Sequence, residues 1–84
     1  MKGGVVRTAA QLVGLVKEAL LNPNRFVPVS YVDKIYLIHE RTDDFNHLAF
    51  YRKDENGEYK LLGRYENLTT KELAQELAQF MPDD

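Results

Sequence analysis

The chain of 84 residues contains no cysteine, which excludes disulfide bridges and zinc sites built from thiolates. Serine occurs once, at Ser30, outside the strand–turn–helix context that activates a serine nucleophile. Gly3 and Gly4 are not followed by the spacing of a phosphate-binding loop. These absences remove the common nucleophilic and phosphate-binding chemistries, so we expect a non-enzymatic protein without a cofactor.

Strong charge of one sign is also lacking. Eleven Lys and Arg residues oppose thirteen Asp and Glu residues, and the net charge is −2. Nucleic-acid-binding domains are usually strongly basic. No stretch approaches the ~18 apolar residues of a membrane span, and Arg7, Thr8 and Gln11 interrupt any apolar run of signal-peptide type. We therefore expect a cytoplasmic chain that does not insert into membranes.

The length and composition indicate one globular domain over residues 1–84, with residues 1–7 as a flexible terminus. The apolar fraction is 44% and the charged fraction 29%, which is ordinary for a globular protein. A domain of this size buries only ~60–65% of its unfolded surface, so its stability margin is thin. Good packing or association with a partner has to supply the remainder.

Two segments carry helical patterns. Thr8 and Gln11 have the spacing of a capping box, and an apolar stripe follows until Asn22 precedes a proline. At the other end, Thr69 and Glu72 form a second capping box. Leu68 and Leu73 have the spacing of a hydrophobic staple around the second box, and Pro82 ends that helix.

Three segments between the helices have the composition of β-strands, namely 34–40, 47–53 and 58–65. Asn56 and Gly57 give the strongest short-range hairpin signal between the last two strands. The short connections predict an antiparallel meander. The fold class is therefore α+β in the order α-β-β-β-α, with an additional edge strand possible near 26–32.

Alternation along the strands predicts two different sheet faces. The helix face, which bears Ile35 and Leu37, is almost wholly apolar and should pack against the helices. We call the opposite face, which bears Tyr36 and Tyr51, the tyrosine face. If both helices pack on the helix face, the tyrosine face exposes apolar side chains of the kind that mark interaction sites. Alternatively, one helix or segment 26–32 covers it.

The leading functional hypothesis is a protein–protein interaction module that binds another chain or a second copy of itself through the tyrosine face. Buried rings would supply most of the affinity, and charges on the rim would tune orientation and association rate. The predicted partner-binding residues are Tyr36, Ile38, Tyr51, Lys53, Lys60, Leu62 and Arg64.

Two alternatives use other chemistry. Tyrosines interleaved with Lys and Arg on the same face are also typical of sheets that bind single-stranded nucleic acid, although nearby acidic residues oppose phosphate. The polar segment 39–47 contains His39, Asp43, Asp44 and His47, which could hold a metal ion. Alternation places His39 and His47 on opposite faces, which weakens the metal hypothesis.

Overall fold

The computed structural model describes residues 9–67 and 69–79, and only the backbone of residues 9, 10 and 70. The element order is α1 (Ala9–Leu21), β1 (Val27–Ser30), β2 (Ile35–Arg41), β3 (Asn46–Lys53), β4 (Tyr59–Tyr65) and α2 (Thr70–Ala78). This order confirms the predicted α+β class, with four strands rather than three. The predicted first cap at Thr8, the terminus 1–7, the staple residue Leu68 and the helix end at 80–82 lie outside the described residues.

The four strands form one antiparallel sheet in the order β1-β2-β3-β4. The fourth strand is the additional edge strand β1, which pairs with β2. Pro28 lies within β1. An edge strand tolerates proline because one of its sides pairs with no neighbouring strand, so the missing N–H there breaks no hydrogen bond of the sheet. A register shift around Val29 leaves that residue extra, so β1 pairs over only a few residues.

Both described helices pack on the helix face of the sheet. Ile35, Leu37 and Phe50 are fully buried there. The helices contribute the buried side chains of Leu12, Val16, Ala19, Leu73 and Leu77. Burying each large apolar side chain stabilises the fold by about 1.5–3 kcal/mol. The fold is therefore a two-layer arrangement that uses one face of the sheet for its main core.

A β-bulge in β4 reverses the facing of part of that strand. Phe50 pairs with Gly63, whereas the next residue of β3, Tyr51, pairs with Leu61. Leu62 is therefore the extra residue, and it packs against the main core on the helix face. From Tyr59 to Leu61, the side chains therefore lie on the faces opposite to those that unbroken alternation predicts. The reason is that a bulge inserts one residue into only one of two paired strands.

This bulge corrects two of the predicted facings. Lys60 pairs with Arg52, which alternates with Tyr51 and so lies on the side of the helix face. Leu62 packs with the core and not on the tyrosine face. In their place, Tyr59 pairs with Lys53 and Leu61 pairs with Tyr51, which puts both on the tyrosine face.

The start of α2 confirms the predicted capping box. The Thr69 side chain accepts from the Glu72 backbone N–H at 3.2 Å, and the Glu72 carboxylate accepts from the Thr69 N–H at 2.9 Å. We expect Thr69→Ala to lower the free energy of unfolding by about 1 kcal/mol, because the Glu72 backbone N–H loses the hydroxyl that caps it. Urea unfolding followed by circular dichroism measures this loss, and an unchanged midpoint would show that the cap does not contribute.

The lengths of the helices bear on membrane insertion. Across residues 9–67 and 69–79, neither helix has the length and apolar character needed to cross a bilayer.

Candidate functional site

Phe26 organises a cluster of four aromatic rings on the tyrosine face. Its ring stacks on Tyr59, with centroids 3.8 Å apart and planes 5° from parallel. Tyr51 and Tyr36 meet the same ring edge-on at centroid distances of 5.4 and 6.2 Å. Tyr36 also meets Tyr59 edge-on at 5.3 Å. The stacked and edge-on geometries are those that aromatic quadrupoles favour, so the rings hold one another in place.

The ring cluster changes how much of the tyrosine face is open. The segment beginning at Phe26 covers part of it, which was one of the two alternatives drawn from the sequence. Ile38 is only 6% exposed and Ala49 is fully buried, so the expectation that Ile38 stands in water is wrong. Tyr36, Tyr51 and Tyr59 remain half-buried. The accessible part of the face is therefore the outer surface of the tyrosines.

Next to the rings, the Glu40 carboxylate accepts hydrogen bonds from three side chains. The Tyr51 hydroxyl donates to Oε2 at 2.6 Å. His47 Nε2 and Arg64 Nε lie 2.7 and 3.2 Å from Oε1. These four residues come from β2, β3 and β4, and the antiparallel register brings them together, because Glu40 pairs with His47 and Ala49 pairs with Arg64. We call them the Glu40 cluster.

Hydrogen bonding decides the protonation of the Glu40 cluster. Partial burial alone raises the pKa of Glu40, but the hydrogen bonds from Tyr51, His47 and Arg64, with the guanidinium charge, outweigh it. The pKa of Glu40 is therefore lowered from its ordinary value of 4.5. Burial, followed by the hydrogen bond and charge of Glu40, raises the pKa of the Tyr51 hydroxyl. At neutral pH the cluster thus holds an ionised carboxylate and a protonated phenol.

A pH dependence of stability follows from the lowered pKa of Glu40. A carboxyl group whose pKa is lower in the folded state stabilises the fold above its unfolded pKa and loses that contribution as pH falls through the folded value. We expect Glu40→Gln to cost about 1–2 kcal/mol of unfolding free energy at pH 7, and clearly less at pH 3. Urea titrations of both proteins at the two pH values measure the gap. A gap that stays constant would contradict the assignment.

Five of the seven predicted partner-binding residues lie on the tyrosine face, and they differ in what they present. Tyr36 and Tyr51 are half-buried rings, and Ile38 is buried. Lys53 is half-buried, with its Nζ 5.6 Å from the centroid of the Tyr59 ring. The Arg64 side chain is 52% exposed. The other two, Lys60 and Leu62, are displaced by the bulge.

Three residues on this face are absent from the predicted partner-binding set. They are Phe26, in the segment 26–32 that was one of the two candidates to cover the face, and Tyr59 and Leu61 of the predicted strand 58–65. Leu61 is 44% exposed, beside the ring cluster. The available signal was Gly63, since a glycine inside a strand often marks a bulge.

The residues of the proposed metal site point in different directions. His39 lies on the helix face, where its Nε2 is 2.6 Å from Asn46 Oδ1, while His47 belongs to the Glu40 cluster. Their predicted placement on opposite faces is confirmed. Asp43 and Asp44 are exposed in the loop between β2 and β3. In the described part of the chain, no three His, Asp or Glu residues are grouped so as to hold a metal ion.

A small cavity of about 130 Å³ lies at the end of the sheet near α2. Its lining includes His39, Tyr65 and Asn67 together with three leucines. His39 Nδ1 is buried and has no hydrogen-bond partner among the described residues. Ligand pockets usually measure ~300 Å³ or more, so this cavity is too small to enclose a typical metabolite.

Comparison with known proteins identifies no relative of this chain. The sequence matches no protein-family model, no curated protein and no solved structure at a significant level.

Proposed function

We propose that this chain is a protein-binding module that holds its partner on the tyrosine face. The observation that carries the proposal is the distribution of elements: both described helices pack on the helix face, while half-buried tyrosines occupy the opposite one. Tyrosine and arginine are the residues that most often dominate binding energy at protein interfaces. Leu61 and Arg64 extend this surface toward the edge of the sheet.

The ring cluster is suited to binding because it is already ordered. Phe26 fixes the tyrosines through one stacked and two edge-on contacts, and Glu40 fixes the Tyr51 hydroxyl. Ordering a side chain at an interface costs about 0.5–1.5 kcal/mol, and rings held before binding do not incur that cost again. A partner therefore meets a preformed surface of aromatic carbon with hydroxyls at its margin.

The same geometry is less suited to single-stranded nucleic acid. Stacking a base requires an open ring face. The facing surfaces of Phe26 and Tyr59 cover each other at a centroid distance of 3.8 Å. Glu40 partly neutralises Arg64, an exposed cation of the tyrosine face. Protein is therefore the partner class that the surface supports best.

Selection of peptides tests the proposal directly. A library of random twelve-residue peptides displayed on phage is selected on the immobilised full chain, and enriched peptides are measured by fluorescence anisotropy. We expect enriched peptides to lose about tenfold or more in affinity on Leu61→Ser, because this side chain adjoins the rings. A labelled oligothymidine, titrated at low and high salt, tests nucleic acid in the same assay.

The matched control is Leu21→Ser. Leu21 is an exposed leucine at the end of α1, on the helical side of the molecule. Affinity should be unchanged in this variant. Peptides that lose affinity on Leu21→Ser and not on Leu61→Ser would contradict the proposal, as would a selection that enriches nothing. Salt-sensitive binding of oligothymidine without peptide binding would favour the nucleic-acid alternative.

A further inference from the structure

The outer edge of β4 is the side of the sheet on which a further strand can pair. Within the described residues, β3 is the only strand that pairs with β4. The opposite edge is poorly suited, because β1 has only four residues and contains Pro28. β4 is seven residues long and has no proline. Unpaired N–H and C=O groups along such an edge can accept an extended segment from another chain.

The side chains of β4 give this edge a positive charge. Lys60 and Arg64 are 64% and 52% exposed, and the strand contains no acidic residue. The nearest carboxylate to Lys60 is that of Asp54, at 3.9 Å, which is a weak surface pair. Glu58 and Glu66 lie just beyond the two ends of the strand. The positive charge that can attract a partner's carboxylate is therefore confined to β4.

Arg64 is held in a way that suits a carboxylate ligand. Glu40 Oε1 accepts from its Nε, and about half of the side chain remains exposed. A guanidinium has five N–H donors in a fixed fork, so occupation of Nε leaves donors at the far end. Glu40 thus orients Arg64 as a positioning residue, with the Tyr51 hydroxyl also beside the guanidinium, and its five donors exceed what these two neighbours can occupy.

We propose that β4 receives an extended acidic segment of a partner protein as a fifth strand, with one carboxylate on Lys60 and another on Arg64. This inference rests on the proposed function, and it adds the chemical class of the partner and its geometry. Main-chain hydrogen bonds between the partner segment and β4, formed on either side of the bulge, supply the affinity. The two cations select for acidic residues in the partner.

The bulge fixes the spacing that the partner needs. On β3, the residues that face Lys60 and Arg64 are Arg52 and Ala49, three positions apart. We expect a regular partner strand on the other side of β4 to span the same distance, so the two partner residues that face Lys60 and Arg64 are also three positions apart. Side chains three apart on a strand point to opposite faces. The preferred segment therefore carries acidic residues at positions i and i+3, one on each face.

A second copy of the chain is a poorer occupant of the same surface. Two copies that pair through their β4 edges bring Lys60 and Arg64 of both into one contact, and β4 contains no acidic residue to pair with them. The one carboxylate of the Glu40 cluster already accepts hydrogen bonds from three donors within its own chain. Like charges in one contact disfavour association, so a different, acidic chain is the better complement.

Selected peptides from the display experiment provide the test, with the full chain as the target. We expect them to carry two acidic residues three apart. Affinity should fall about tenfold on Arg64→Gln and about threefold on Lys60→Gln, and stay unchanged on Lys71→Gln, an exposed lysine of α2. Arg64→Lys, which keeps the charge, should lose less than Arg64→Gln. Amide exchange in β4 should slow when peptide is bound.

The outcomes separate this inference from the proposed function. Peptides that depend on Leu61 but are neutral, or that bind Lys60→Gln and Arg64→Gln as well as the parent chain, overturn the acidic strand and leave the proposed function standing. Acidic peptides with no i, i+3 preference and no slowing of β4 exchange also overturn it. Failure to select any peptide overturns both. Thermal melts of each variant show whether a loss of binding reflects a loss of folding.

Discussion

Phe26→Ala is expected to lower the free energy of unfolding by about 3 kcal/mol, although Phe26 lies outside every helix and strand. The substitution removes one stacked and two edge-on ring contacts, each worth about 0.5–1.5 kcal/mol beyond the area they bury. Replacing a buried phenylalanine by alanine typically costs about 3–5 kcal/mol, and half-burial places Phe26 at the lower end.

Phe45→Ala is the matched control for this loss. Phe45 lies in the loop between β2 and β3, is 56% exposed and contacts only the His47 ring among the aromatic residues described. We expect it to cost less than about 1 kcal/mol. Urea unfolding of both variants against the parent chain measures the difference. Equal losses at the two positions would show that Phe26 does not hold the tyrosine face together.

Gly63→Ala is expected to cost about 2–3 kcal/mol of unfolding free energy, although it adds a single methyl group. The Tyr65 side chain folds back over Gly63, and a β-carbon there would overlap the phenol ring. Tyr65 cannot move aside freely, because its ring contacts Phe50 with centroids 5.9 Å apart and its half-buried hydroxyl lies beside the Glu76 carboxylate of α2. Overpacking of this kind typically costs about 1–3 kcal/mol.

The same substitution at Gly14 should have the opposite sign. A β-carbon at Gly14, in the middle of α1, meets no atom within 4 Å. Replacing an exposed helical glycine by alanine stabilises a helix by up to about 1 kcal/mol. A second variant, Gly63→Ala with Tyr65→Leu, should recover part of the loss by removing the ring. Thermal melts of the three variants check the signs, and a neutral Gly63→Ala would refute the proposed close contact.

Much of the fold follows from local patterns. The Asn56–Gly57 signal predicted the last hairpin, and Gly57 does adopt a positive φ of 81°. The Asp54 carboxylate also fixes this turn by accepting from the backbone N–H groups of Asn56 and Glu58. Alternation placed the residues of β2 and β3 on their correct faces, because both strands pair without interruption.

Alternation failed where a local irregularity shifted it. Splitting a strand by parity assumes an unbroken pleat, and the extra residue Leu62 breaks that assumption for Tyr59 to Leu61. Lys60 therefore lies on the face opposite to the one that alternation predicts. Gly63 marks the place, but a glycine in a strand does not indicate which neighbouring residue is the extra one.

The contribution of Phe26 depends on contacts that are distant in sequence. The preceding segment is fixed by Asn24, which has a positive φ of 63° and bonds the main chain of Arg41 through both atoms of its side-chain amide. These bonds set the direction in which the chain enters β1 and so bring the Phe26 ring over the sheet. No periodicity in the sequence between the two prolines signals such an entry.

Mapping of backbone amide shifts by NMR tests the central claim most directly. The isotopically labelled full chain is titrated with the tightest peptide from the display selection, and perturbed amides are located on the fold. We expect the changes to concentrate in β4 and in the residues of the tyrosine face around Tyr36 and Tyr51, with α1 and α2 unaffected. Changes confined to the two helices, with β4 unperturbed, would contradict a partner site on this face.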